Sequence, residues 1–186
     1  VHRVISEEGS ENRYEKLYQK TVAIENGGVV NLDIEFVKDQ NFKVLFWAQH
    51  RNVYNTGDVI DLTAVKVPTR PAAGAEENYE AFYGTDDFTN GKSAVNGEVT
   101  LTRAVSLLSI GTTQASLNVG GVDGNVVLNG ASVTVKDLPN KLNVMTGEAT
   151  ANADQTYPSA TGSTFVVGSE TYVYVAKNYV AFADAN

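Results

Sequence analysis

The 186-residue chain has no cysteine, only two histidines, one tryptophan, one methionine and four prolines. Without cysteine there is no disulfide framework, thiolate zinc site, iron–sulfur cluster or cysteine nucleophile. A Ser–His–Asp triad needs an oriented base. His2 and His50 are isolated, no Gly-x-Ser-x-Gly elbow occurs, and His50 reads as a solvated residue just past a strand. Basic clusters are missing too. Lys and Arg number 14 against 22 Asp and Glu, for a net charge of -8. A nucleic-acid partner is therefore not expected, because phosphate binding relies on clustered cations. No apolar run approaches the ~18 residues of a membrane span. The first residue is Val1 rather than Met, so the expectation is a processed form from which any export signal or lipid anchor has been removed.

What is present points to β structure. Val outnumbers Leu by 26 to 11, and there are 17 Thr, 9 Tyr and 7 Phe, all residue types that fit a pleated surface. The 17 Asn and 16 Gly supply turns. At 42% hydrophobic and 19% charged, the chain has a globular composition. A chain of this size buries roughly 70% of its unfolded surface and needs no covalent or metal staple.

Residues 29–36 alternate cleanly, with Val30, Leu32, Ile34 and Phe36 on one side and Asn31, Asp33 and Glu35 on the other. That period predicts a half-buried strand. The turn Asn26-Gly27-Gly28 joins it to a short strand over 21–24. Residues 42–48 are apolar on both faces apart from Lys43 and predict a central strand. A strand is expected over 62–67 and a surface loop over 68–78, while 80–83 fits one helical turn or a short strand. Residues 95–101 alternate again. Residues 103–110 fit either a helical turn or a strand, with a break near 103–105. Asn129-Gly130 between two β-branched runs predicts a hairpin over 126–135. Thr146 to Ser163 reads as a linker, followed by strands at 165–167 and 172–175.

Candidate chemistry is sparse. The acid pairs Glu7-Glu8, Glu76-Glu77 and Asp86-Asp87 read as solvated surface. Residues 86–91 lack the oxygen spacing of a calcium loop, and Gly120-Gly121-Val122-Asp123-Gly124-Asn125 lacks the Lys-Ser/Thr of a phosphate loop. No catalytic residue, metal or cofactor is therefore expected, and the chain reads as non-enzymatic. Tyr54, Tyr79, Phe82, Tyr83 and Tyr172 read first as core or rim; exposed, such rings could stack on sugars. Tyr54 and Tyr83 are the candidates for a glycan platform, the alternative reading.

Several stretches, in order, resemble the fimbrillin-like surface proteins of Bacteroidales. They are Val44-Leu45-Phe46-Trp47-Ala48-Gln49, Glu80-Ala81-Phe82-Tyr83-Gly84, and Val99-Thr100-Leu101-Thr102-Arg103-Ala104. Val133-Thr134-Val135 through Leu142-Asn143-Val144-Met145-Thr146-Gly147 and the Tyr-rich 172–180 segment complete the likeness. The resemblance implies a transthyretin-like, Greek-key β-sandwich over 1–147. Residues 148–186 would then be a linker and the first strands of an incomplete second β domain. It further implies a lipoprotein at the outer membrane or in a fimbrium. Its partners would be other fimbrial subunits, with host or bacterial surface glycans and proteins as further targets.

The expected core comprises Val30, Leu32, Ile34, Phe36, Val44, Trp47, Leu101, Val133 and Val135. Fimbrial subunits join by β-strand addition. Val4 and Ile5, expected to point into the sandwich, and Tyr172, Tyr174 and Tyr179 are the candidates for the donated or exposed strands.

Overall fold

The structure is a computed structural model that describes residues 1–6, 11–23, 30–49, 61–67, 80–89, 97–113, 132–158 and 164–181. These residues are all-β, with no helix among them. The first strands are β1 (His2–Ile5), β2 (Arg13–Lys16), β3 (Asn41–Gln49), β4 (Val65–Lys66), β5 (Ala81–Thr89) and β6 (Thr102–Arg103). Then come β7 (Val105–Thr113), β8 (Ser132–Leu138), β9 (Lys141–Leu142) and β10 (Ala149–Thr150). The last are β11 (Ala153–Pro158), β12 (Thr164–Val167) and β13 (Glu170–Ala181).

The chain divides into two compact units, one of Val1–Phe46 with Tyr83–Leu101 and one of Trp47–Phe82 with Thr102–Asn186. The division expected after Gly147 falls inside the second unit. Strands on either side of that point pair with each other: β8 with β11, and β7 with β13.

In the first unit the strand order is β2-β1-β3-β5. The apolar run of β3 is interior, as its two-sided hydrophobicity requires. Phe42, Val44 and Leu45 are buried. Phe36 tilts its ring against Phe42 at 4.7 Å and against Phe88 at 5.3 Å, so three aromatic rings form one side of this core.

The second unit holds a two-layer sandwich. One layer is β12-β13-β7 and the other is β11-β8. Tyr157, Ala176 and Val180 are buried between them, with Leu108, Ile110, Val133, Val135 and Leu138 packed around. Both layers carry a register shift. On β8 an extra residue lies near Asp137, which has φ 58 and whose N–H donates to Asp154 Oδ1 at 3.2 Å. The shift brings Leu138 onto the same face as Val133 and Val135. On β13 the shift lies between Tyr174 and Ala176. A small third sheet, β10-β9-β4, buries Val65 opposite Leu142.

Several expectations change. Residues 30–36 form no ladder among the described residues, although Asn31, Asp33 and Glu35 are exposed and Ile34 and Phe36 half-buried. One-sided burial of an extended segment produces the same alternation as a strand without supplying a hydrogen-bond partner. Leu32 is 36% exposed and is not core. Val44 is buried, while Val30, Ile34, Phe36, Trp47 and Leu101 are only half-buried. Trp47 donates its indole N–H to Gln49 Oε1 at 2.6 Å, which keeps the ring where that polar contact is available.

The strand expected over 62–67 shrinks to β4, because the Asp61 carboxylate accepts from the Thr63 N–H at 2.9 Å and its hydroxyl at 2.6 Å, folding a turn. The ambiguous 80–83 and 103–110 segments are both strand, with the break at Ala104. The strand expected over 95–101 is absent from 97–101. The expected linker carries β10 and β11, since Ala and Thr pair through their backbone and Tyr157 anchors the segment. Residues 21–23 form no strand, and the Asn26-Gly27-Gly28 and Asn129-Gly130 turns lie outside the described residues.

The Leu142–Gly147 stretch singled out in the sequence begins on β9 and continues into the hairpin loop that leads to β10. Asn143 Oδ1 accepts from the Met145 N–H at 2.9 Å, and Gly147 takes φ 76, a conformation that glycine adopts at no steric cost.

Candidate functional site

A protein that joins others by strand addition needs either a strand that can leave its ladder or an edge that can accept one. Val4 and Ile5 lie on β1, an interior strand, with Val4 opposite Tyr14 on one side and Asn41 on the other. Both are half-buried. As neighbours on a strand they face opposite sides of the sheet, so they do not both enter one core. β1 is therefore not an exposed edge. His2, two residues earlier, is buried at 9% exposure, which its isolated position in the sequence gave no sign of.

β13 is interior as well. It pairs with β12 through Glu170–Val173 and with β7 through Tyr172–Ala181. Tyr174 and Tyr179 are buried and Tyr172 is half-buried. The three tyrosines do not form one cluster. Phe165 stacks on Tyr172 at 5.5 Å and tilts against Tyr174 at 4.4 Å, with the Lys177 ammonium 5.6 Å from the Tyr174 ring. Tyr179 instead donates its main-chain N–H to Asn178 Oδ1 at 2.8 Å and lines a shallow cleft beside Tyr157. β13 is thus a covered strand along these pairings rather than an exposed one.

Only Tyr83 of the two glycan-platform residues lies among the described residues. Tyr54 lies outside the described residues, as do Tyr79 and His50. Tyr83 is half-buried on β5. The face of neighbouring Phe82 is covered by its own chain, with the Arg103 guanidinium 5.9 Å from the ring centroid and held by Glu80 at 3.0 Å. That contact is a cation–π pair of the fold.

Asp86 and Asp87 sit on β5, not in a loop. Asp87 takes both its carboxylate oxygens to Lys43 Nζ, at 2.9 and 3.0 Å, while Asp86 Oδ1 accepts from the Asp87 N–H at 2.9 Å. The two carboxylates are spent on separate structural contacts. Among the described residues no group of three His, Asp or Glu could hold a metal ion. Glu7-Glu8, Glu76-Glu77 and residues 120–125 lie outside them.

The cleft beside Tyr157 encloses about 10 Å³, room for roughly one water, and its lining includes Val67, Gln155, Tyr179 and Val180. Burial pushes the Tyr157 phenol above its ordinary value. The folded state therefore holds that proton more tightly than the unfolded chain. This contribution is fully present below pH about 10 and is lost as pH rises through the raised Tyr157 value. Urea unfolding from pH 8 to 11 should show an alkaline loss of stability that is smaller in Tyr157→Phe. An identical loss in both proteins would remove Tyr157 as its source.

A strand exposed along its whole length lies elsewhere. β2 is the edge of its sheet among the described residues, and all four of its residues are exposed. The chain beyond it keeps Leu17, Tyr18 and Val22 exposed as well, at 42%, 37% and 39%. Sequence reasoning missed this edge because Arg13-Tyr14-Glu15-Lys16, wet on both faces, carries no hydrophobic period. At the tip of the β12–β13 hairpin, Val166 and Val167 are 65% and 60% exposed, and Gly168 has φ 63 at the first position of the two-residue turn.

These features define an all-β module among the described residues. The chain belongs to a protein family of unknown function, DUF6562, whose model matches residues 3–185. No curated protein and no solved structure matches it.

Proposed function

We propose that this protein is a non-enzymatic, fimbrillin-like subunit of a bacterial surface polymer that assembles by β-strand addition. Its partners are other subunits of the same kind, and no cofactor enters. The observation that carries the reading is the setting of β13. It is held by main-chain ladders to β12 and β7, and it sends Ala176 and Val180 into the sandwich core. Strand addition uses the same two ingredients: main-chain pairing for affinity and alternate side chains for register. A neighbouring subunit's β13, exchanged for the chain's own, would make the contacts that β13 makes within the chain. The Tyr172 and Tyr174 that it carries on one face would then set its position.

Antibody against the purified protein, applied to intact cells that produce it, tests this directly. Immunoelectron microscopy should show label along surface filaments, and deleting the gene should remove both label and filaments. Intact cells without surface label, when sections of the same cells are labelled inside, would overturn the proposal.

A further inference from the structure

The cleanest alternation in the sequence, residues 30–36, has the side chains of a strand without its ladder. Ile34 and Phe36 are half-buried, and the Phe36 ring packs on Phe42 of β3 and Phe88 of β5. Asn31, Asp33 and Glu35 are exposed on the other side. β3 already has β1 and β5 as its neighbours in the sheet, so the segment lies over that sheet and not in it. Among the described residues its one hydrogen bond is long, accepted by the Glu35 carbonyl from the Tyr18 hydroxyl at 3.4 Å. An extended main chain against a core, with its N–H and C=O groups unpaired, is completed by a neighbouring strand. The outward side chains say which strand. Neither Asp33 nor Glu35 has an ion-pair partner among the described residues. On the inward side Leu32 is left 36% exposed.

We propose that residues 30–36 accept an extended segment of a partner protein in which basic and apolar residues alternate. The main chain of that segment pairs with the main chain of 30–36. Its Lys or Arg side chains lie beside Asp33 and Glu35, at the ~5 Å spacing of directly opposed residues. Its apolar side chains point the other way, beside Leu32, and cover it. The net charge of -8 draws a basic segment toward this chain. A second copy of 30–36 does not fit. With its apolar face inward, it brings only Asn31, Asp33 and Glu35 to the outer face, and like charges side by side on a sheet are destabilising. β13 takes no part in this pairing, so the inference goes beyond the proposed function and does not rest on it.

The probe is a short amidated peptide of alternating Val and Lys, added to the full chain at low salt. A Val–Glu peptide controls for charge, and a fully N-methylated Val–Lys peptide controls for main-chain pairing. Calorimetric titration should show saturable binding of the Val–Lys peptide, at least about tenfold tighter than either control. Hydrogen exchange followed by NMR reads the place of binding. Amides within 30–36 that face the peptide should exchange fast in the free chain and at least about tenfold more slowly at saturation. Asp33→Asn with Glu35→Gln should weaken binding at least about tenfold, and Asp33→Lys with Glu35→Lys should reverse the preference to the Val–Glu peptide. Both positions are exposed, so melting temperatures should stay within a few degrees of wild type. No binding of the Val–Lys peptide at millimolar concentration overturns the proposal. Equal binding of the N-methylated peptide, protection confined to residues outside 30–36, or an unchanged preference in the folded variants overturns it equally.

Discussion

Phe42→Ala should cost about 3–5 kcal/mol, the range for removing a fully buried aromatic ring. Phe42 is 1% exposed on the interior strand β3, and its ring lies 4.7 Å from Phe36. Phe36 in turn touches Phe88, so truncation leaves a cavity that two other rings can fill only by leaving their own contacts. Against a total stability of about 5–15 kcal/mol this is a large fraction, and the midpoint should fall by roughly 10 °C. Leu32→Ala supplies the contrast. Leu32 belongs to the most regular alternation in the sequence yet is 36% exposed, so its loss should cost less than about 1 kcal/mol. Chemical denaturation of both variants decides the matter. Equal losses would mean that the three-ring cluster is not the centre of this unit's core.

Gly111→Ala should destabilise the second unit by about 1–3 kcal/mol through overpacking. A methyl group at Gly111 would collide with Phe165 Cε1 and sit 2.6 Å from its Cζ and 3.0 Å from Tyr172 Cβ. Gly111 lies directly opposite Tyr174 on the neighbouring strand, and the Phe165 ring covers it in place of a side chain. The ring can yield only by giving up its contacts with Tyr172 and Tyr174. Phe165→Ala removes the obstruction. On that background Gly111→Ala should cost far less, so the two substitutions should be strongly non-additive in a double-mutant cycle. Additive losses would show that the clash is relieved elsewhere.

The legibility of this chain follows where burial is two-sided. β3 could be read from residues 42–48 because a strand interior to a sheet and apolar on both faces needs no other signal. β-rich composition carried the fold class for a similar reason, since it is indifferent to register. The one-sided segment 30–36 misled, because alternation reports which face is wet and not whether a neighbour supplies hydrogen bonds. Tyr157 shows the reverse failure. It sits in a stretch of Ala, Thr and Asn that reads as linker, and its burial comes from β8 and β13, strands distant in sequence. Of the candidate site, the segment around Tyr172 was legible as a strand, but its interior place depends on β7. The edge β2 was not legible, because an exposed strand is recognised only by what it lies beside.

The extra residue at Val175 makes β13 a strand with two phases. Tyr174 opposes Gly111, while Ala176, two positions later, opposes the adjacent Ile110. Even-numbered residues therefore face the Phe165 cluster before the bulge and the sandwich core after it. An incoming strand of perfect alternation could match one half of this groove only, and in the other half would present its polar side chains to the core. Under the proposed exchange, a strand taking the place of β13 would need one residue inserted at a fixed place. The insertion would then act as a password that generic amphipathic strands, however apolar, do not carry.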